Sequence, residues 1–474
     1  MPAPDVTDVT GVTGVASGSA AATVAALRGT FASGITRPVG WRLAQLDALS
    51  RMLVEHRDVL EEAVRRDLGK APLETRTTEV ALLQMEVKHT RRHLRRWLRP
   101  VRSGVPLALQ PASASTVLEP LGVALIIGAW NYPLLLTLSP LVGALAAGDC
   151  AVLKPSELAP ATSRLLAELL PEALDRRAVV VVEGGVPETT DVLRERFDVI
   201  FYTGSGRVGR VVMAAAAEHL TPVVLELGGK CPVYVDASAD LDVAADRIAW
   251  GKFTNAGQTC VAPDYLLATP AVLEQLLPKI EAAARRMYGP APIRSQDYCR
   301  IVSERHFDRL TSLLAGHAPA FGGTADRGER RIAPTAVVVR DDTDPLLQEE
   351  VFGPVLPVVE VSGEEEAIAR VAAGDKPLAL YVFTASAASR RTWSEQTSSG
   401  AICFDGPLLH LAVPGIPFGG VGASGMGSYH GRRSVVAFSH EKAVFSKPTR
   451  PDTTRLLSPP FGPLGRAVVE MLAR

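Results

Sequence analysis

The chain has 474 residues, 47% hydrophobic and 21% charged, with a formal net charge of −1. That is the make-up of a globular protein long enough for more than one domain. A near-zero charge leaves no basic field for nucleic acid, and 5 cysteines in a chain this long make no disulfide framework.

The first stretch, MPAPDVTDVTGVTGVASGSAAAT (1–23), repeats Asp-Val-Thr and Gly-Val-Thr and is rich in small residues. It lacks the basic start and apolar run of a signal peptide and is expected to be a disordered tail. No segment reaches the roughly 20 apolar residues of a spanning helix, so no transmembrane segment is expected. Cysteines outside any CxxC or Cys/His metal spacing fit a reducing compartment, and the cytoplasm is the expected location, with no metal.

Next comes a basic run, HTRRHLRRWLRPVR (89–102). It suits either a membrane or polyanion surface or a solvated helix face with Leu94, Trp97 and Leu98 turned inward. From about residue 120, apolar strand patterns alternate with helical ones: GVALIIGAW, DCAVLKPS, AVVVVEGG, FDVIFYTGS and TPVVLELGG. Between them, Leu165, Leu166, Leu169 and Leu170 share one helical face. A second series follows: CPVYVD, DYLLAT, IAPTAVVV, VLPVVEV, LALYVFTA and GAICFDG. Spacings of this kind suit βαβ units, so two α/β domains with open parallel sheets are expected. In such sheets functional groups gather where strands end. Asn131, Lys154, Glu157, Ser205 and Glu226 all stand at or just past such ends.

Three stretches carry chemistry. YTGSGRVG contains Gly204, Gly206 and Gly209 in a GxGxxG spacing between a strand and a helix, where backbone N–H groups and a helix N-terminus favour a phosphate. Glycines also simply make turns. LKPSE places Lys154 and Glu157 past a strand. The Glu157 carboxylate suits a ribose diol and repels a 2′-phosphate, or else merely favours the first turn of the next helix. FTNAGQTCVAPDYLL sets Cys260 at a corner between a helical and a strand-like stretch. Most such cysteines are small hydrophobes.

AWNYP, LKPSEL, FYTGSGRVG, VVLELGGK, NAGQTCVAPDY, QEEVFGPVLP and PFGGVGASGMGSYHG resemble, in order and spacing, the motifs of the NAD(P)-dependent aldehyde dehydrogenases. The likeness is nearest the short, dimeric class 3 type, which acts on aromatic and medium- or long-chain aliphatic aldehydes. It runs from about residue 24 to about 445. It implies two Rossmann-like domains plus a small β bridging element that pairs between subunits. The corresponding limits are 24–103 and 122–226 for NAD binding and 227–406 for catalysis. The bridging element takes 104–121 and 407–446, and a C-terminal tail takes 447–474.

The resemblance also implies roles. Cys260 stands where the family has its nucleophile, Glu226 its general base and Asn131 its oxyanion-binding amide. Lys154 and Glu157 match the residues on the adenosine ribose. The turn of Gly204, Ser205, Gly206, Arg207, Val208 and Gly209 matches the pyrophosphate region, and Trp130, Leu227, Glu350 and Phe352 the rest of the cofactor site. The cofactor implied is NAD, with NADP also accepted by relatives bearing that glutamate. Two positions depart from the pattern: Ala129 stands where proline is common, and Asp405, beside the substrate entrance, where asparagine is usual. Rival expectations are a CoA-acylating relative, a structural protein that lost turnover, and a cofactor-free cysteine hydrolase. His219 and His410, on apolar stretches, are expected in the core or an interface. The C-terminal PPFGPLGRAVVEMLAR is either a small amphipathic helix, over the substrate mouth or on a membrane, or a solvated tail.

Overall fold

The computed structural model describes residues 19–473. The tail expected over 1–23 therefore falls mostly outside the described residues, and its last four positions are not a tail. A helix spans Ala20–Ala32, with the Ser19 side chain accepting from the Ala22 N–H at 3.3 Å. Alanine is the strongest helix former, and Val24 and Leu27 bury against the first sheet, which anchors the run. The helix Ala81–Trp97 carries most of the basic run. Leu94 is buried, Trp97 and Leu98 pack on the core, and Arg91, Arg92, Arg95 and Arg96 face solvent, so it is a solvated helix face.

Strands β1 (Val101–Ser103) and β2 (Ser113–Pro120) come next. Then come β3 (Val123–Ile127), β4 (Cys150–Lys154), β5 (Val179–Val181), β6 (Val199–Gly204) and β7 (Val223–Leu227). The second series is β8 (Pro232–Val235), β9 (Tyr265–Ala268), a two-residue pair β10 (Ala325–Asp326) and β11 (Arg331–Ile332), β12 (Thr335–Val338), β13 (Val355–Glu360), β14 (Ala379–Phe383) and β15 (Ala401–Phe404). The chain ends with β16 (Gly425–Met426) and β17 (Ser439–Ser446).

Two six-stranded sheets result. The first has the order β16-β7-β6-β3-β4-β5, parallel except for β16, and the second, β12-β13-β9-β8-β14-β15, is parallel throughout. Every residue of β3 and β4 is buried, as a sheet covered by helices on both faces requires. In the first sheet the strand order reverses at β3, between β4 and β6, which opens a crevice beyond the strands' carboxyl ends. A third sheet, β1-β2-β17, is antiparallel, with β17 registered on β2 from Ser439 opposite Pro120 to Ser446 opposite Ser113. Past it, the segment expected as a tail turns through Thr453–Leu457 and forms a helix, Pro463–Leu472, with Leu464 and Met471 exposed. No helix among the described residues is long and apolar enough to cross a membrane.

Candidate active site

Cys260 sits on the loop between the helix Leu241–Phe253 and β9. The loop begins with Asn255, Ala256 and Gly257, all in the left-handed region at φ +53°, +50° and +73°. Gly257 is required there: a Cβ would stand 2.2 Å from the Gly353 carbonyl oxygen. Gln258 ties the loop down, donating to the carbonyls of Asn255 at 3.0 Å and Arg300 at 3.1 Å and accepting from the Val302 N–H at 3.0 Å. Cys260 is half-buried and its carbonyl accepts from the Cys231 thiol at 3.4 Å.

Two other predicted residues converge on this loop. Asn131, buried past the end of β3, donates its side-chain amide to the Gln258 carbonyl at 3.1 Å. Glu226, in β7 opposite Thr203 and Gly425, is 3% exposed and neither carboxylate oxygen has a hydrogen-bond partner. Burial pushes its pKa well above the ordinary carboxylate value. Burial, then the nearby carboxylates of Glu226 and Glu350, push the Cys260 thiol up from its ordinary value. The Asn131 and Cys260 segments and the Glu226 carboxylate thus lie close together at one site.

An apolar pocket of about 260 Å³ has Cys260 in its wall, together with Leu82, Met85, Leu135, Trp250, Val261 and Phe418 among others. Met85 and Leu409, 43% and 53% exposed, mark its mouth. Leu408, Leu409, Leu411 and Ala412 contribute to its wall. Asp405 does not line it: its carboxylate accepts from the Thr384 N–H at 3.1 Å and pairs with Arg390 at 2.5 Å, bracing the loop behind.

Three of the cofactor residues expected from sequence, Ser205, Gly206 and Glu350, line a second opening, a cleft of about 930 Å³ between the two large sheets; the other nine are not among its lining residues. Ser205 and Gly206 line it from the first sheet, Tyr265 and Glu350 from the second. Ser205 caps the helix Gly206–Glu218, accepting from the Val208 N–H at 3.4 Å. Arg207 is exposed and Val208 half-buried. Gly209 faces Leu227 so closely that a Cβ would meet its side chain at 2.8 Å, and the helix lies tight on β7. Gly204 ends β6. At Gly228 a Cβ would fall 2.2 Å from a Glu350 carboxylate oxygen, so the bare glycine cradles that carboxylate. Burial, then Asp264, raises the Glu350 pKa to about 8. Phe352, strained at φ +48°, packs edge-on against Trp130 with ring centroids 5.5 Å apart. Lys154 is buried and its ammonium donates to the carbonyls of Gly184 at 2.6 Å and Pro155 at 2.9 Å. Glu157 lies exposed beyond it.

A profile of the aldehyde dehydrogenase family matches residues 6–444. The chain belongs to the aldehyde dehydrogenase family. It is 47% identical over 442 residues to human aldehyde dehydrogenase family 3 member B1, covering 93% of this chain and 94% of the relative. It is 48% identical over 425 residues to the rat dimeric NADP-preferring aldehyde dehydrogenase, covering 90% and 94%. A solved structure of the substrate-bound state of Staphylococcus aureus AldH is similar at a TM-score of 0.93 and 39% identity, over 95% of this chain and 99% of that one. The class 3 resemblance and the two-sheet α/β fold both hold, and the protein is an NAD(P)-dependent aldehyde dehydrogenase using a nicotinamide dinucleotide.

Sequence reasoning passed over several residues of this aldehyde dehydrogenase that the fold brings to the site. The Tyr132 hydroxyl pairs with Thr259 Oγ1 at 2.6 Å beside Cys260. Lys230 pairs with Asp264 and donates to the carbonyls of Leu346 and Glu349, both at 2.9 Å. Asp264 also accepts from the Val351 N–H at 2.8 Å, so the pair clamps the segment bearing Glu350. Lys252 is buried, and burial lowers its pKa to about 8. Lys230 and Asp264 stood inside recognised motifs, but their partners are distant in sequence. His219 corrects an expectation: it is exposed, ending a helix, since the apolar run before it turns its far face to solvent. His410 is half-buried, with Nδ1 3.3 Å from the Cys403 thiol.

Proposed function

We propose that this enzyme oxidises hydrophobic aldehydes, medium- or long-chain aliphatic or aromatic, to carboxylic acids through a covalent intermediate on Cys260. The observation that carries the proposal is an apolar pocket with the Cys260 thiol in its wall, beside the unpartnered buried carboxylate of Glu226. The Cys260 thiolate adds to the aldehyde carbon. The Asn131 amide and the Cys260 backbone N–H stabilise the resulting oxyanion. When bound, the oxidised nicotinamide supplies a hydride acceptor and a positive charge that favours the thiolate. Loss of the hydride leaves a thioester on Cys260. Glu226 takes a proton from a water that attacks it, releasing the acid and the thiolate.

The residues of the cleft fit the cofactor. The Glu350 carboxylate cradled at Gly228 is an acceptor for ribose hydroxyls, Phe352 backs the nicotinamide, and the Ser205 cap leaves a helix N-terminus for pyrophosphate. Gly206 lines the cleft itself, and we assign Trp130, Gly204, Arg207, Val208, Gly209 and Leu227 to the cofactor's surroundings on the strength of the family motifs that hold them. Lys154 and Glu157 take the adenosine ribose, and Glu157 favours NAD over NADP. We assign 24–103 and 122–226 to cofactor binding, 227–406 to catalysis, and place the enzyme in the cytoplasm because its cysteines are free thiols. We also propose a homodimer joined through the third sheet. Its edge strand β17 is eight residues long, with Val444 and Phe445 exposed, and an open edge of that kind invites pairing.

A screen of NADH appearance over aliphatic and aromatic aldehydes of graded length, without coenzyme A, tests the substrate class. kcat/KM should rise with apolar length, and Cys260→Ala should form no NADH. Preference for short polar aldehydes, turnover only with coenzyme A, or an active Cys260→Ala enzyme would overturn it.

A further inference from the structure

Three charged residues that the proposed chemistry leaves idle lie behind the site. Lys70 and Glu79 are both 0% exposed and paired at 2.9 Å. Lys70 also donates to the Asn131 carbonyl at 3.3 Å and stands 4.1 Å from the Tyr132 ring centroid. The second Glu79 oxygen accepts from the N–H groups of Leu134 at 2.9 Å and Leu135 at 3.2 Å, at the start of the helix Pro133–Ala147. One ion pair thus holds both the Asn131 peptide and the helix that follows it.

Glu74 completes the group. The residue is half-buried, but its carboxylate turns inward. There it accepts from the Asn255 N–H at 2.8 Å and lies 3.7 Å from the buried Cys299 thiol. Asn255 opens the run of three left-handed residues before Cys260, and two of the three are not glycine. Left-handed backbone costs about 1–2 kcal/mol per non-glycine residue and persists only where its surroundings impose it. Here they do. The Asn255 side chain donates to the carbonyls of Asn131 at 2.9 Å and Gln258 at 3.0 Å, and Glu74 holds its backbone from the other side. The Asn131 carbonyl is therefore shared between Lys70 and the nucleophile loop.

We propose that Glu74, backed by the Lys70–Glu79 pair, is a positioning residue that holds the 255–257 turn against Asn131 and so sets the Cys260 thiol and the oxyanion donors in register. The proposal rests on Cys260 being the nucleophile. The bond to the Asn255 N–H needs only a side-chain oxygen at that reach, so a neutral acceptor of equal length serves in its place.

Glu74→Gln, Glu74→Asp and Glu74→Leu in the full chain test this, with NAD and a hydrophobic aldehyde, by steady-state rates, the pre-steady-state NADH burst and thermal unfolding. Gln keeps an oxygen at the same reach and should stay within ~3-fold of the parent. Asp, one methylene short, and Leu, with no acceptor, should lose roughly 10- to 100-fold in burst rate, the effect of misplacing reacting groups by about 1 Å, with KM for NAD unchanged. A burst for Glu74→Asp equal to that of Glu74→Gln overturns the proposal, as does a loss that merely tracks the melting temperature. Should Leu fail to fold, the Gln–Asp contrast decides. Cys260→Ala runs alongside: if it turns over, the nucleophile assignment fails and positioning falls with it. If it is dead while Glu74→Asp is fully active, positioning alone fails.

Discussion

Glu226 shows what a single residue's surroundings do to its chemistry. A carboxyl that is 3% exposed and unpartnered is disfavoured as the anion, so its pKa rises. A base must be ionised to take a proton, so thioester hydrolysis should speed up as pH climbs through that raised value. Glu226→Gln removes the base but not the thiol. It should give an NADH burst, then stall with acyl-enzyme that mass spectrometry detects; weakened cofactor binding without a burst would deny Glu226 the role. Glu157 lies exposed in the loop after β4, and Arg207 lies exposed on the helix after β6. Glu157→Gln should raise NADP use relative to NAD by removing the charge that repels a 2′-phosphate. An unchanged ratio of kcat/KM values would take Glu157 out of the ribose site.

At the scale of an element, the nucleophile loop departs furthest from regular structure. It joins a helix to β9 through three left-handed residues, and side chains from elsewhere hold it. Gly257→Ala meets both a forbidden φ and the Gly353 carbonyl, which is backbone and cannot swing aside. The strain should cost about 1–2 kcal/mol from the backbone conformation alone. Calorimetry should find a lower Tm and kinetics a reduced burst; a variant with parental Tm and burst would mean the loop tolerates another path. The paired elements around it were readable as patterns. Alternating apolar runs marked β3 to β9 and β12 to β15, because strands buried on both faces are almost wholly apolar. The helix Ala20–Ala32 was missed because its turn of alanines resembles the small-residue tail before it, and Val24 and Leu27 are its only fully buried residues.

At the scale of the molecule, the two large sheets face across the cofactor cleft, and the third stands apart with an open edge. If that edge pairs two copies, light scattering should give twice the chain's 50.3 kDa. A single-chain mass at micromolar concentration would exclude the dimer. Local sequence by itself determined the two α/β series, the strand ends where the candidate residues stand, and the short motifs holding Asn131, Glu226 and Cys260. Apolar periodicity and turn chemistry are encoded within a few residues, so they can be read there. Tertiary structure alone decided that Glu74 reaches the Cys260 loop and Lys70 the Asn131 carbonyl, that Lys230 and Asp264 clamp the Glu350 segment, and that Lys154 spends its ammonium on carbonyls. It also decided that Glu226 is left without a partner. Those facts depend on which side chains the packing of distant segments brings within hydrogen-bond reach, and on how much water it removes. Neither quantity is carried by any one stretch of chain.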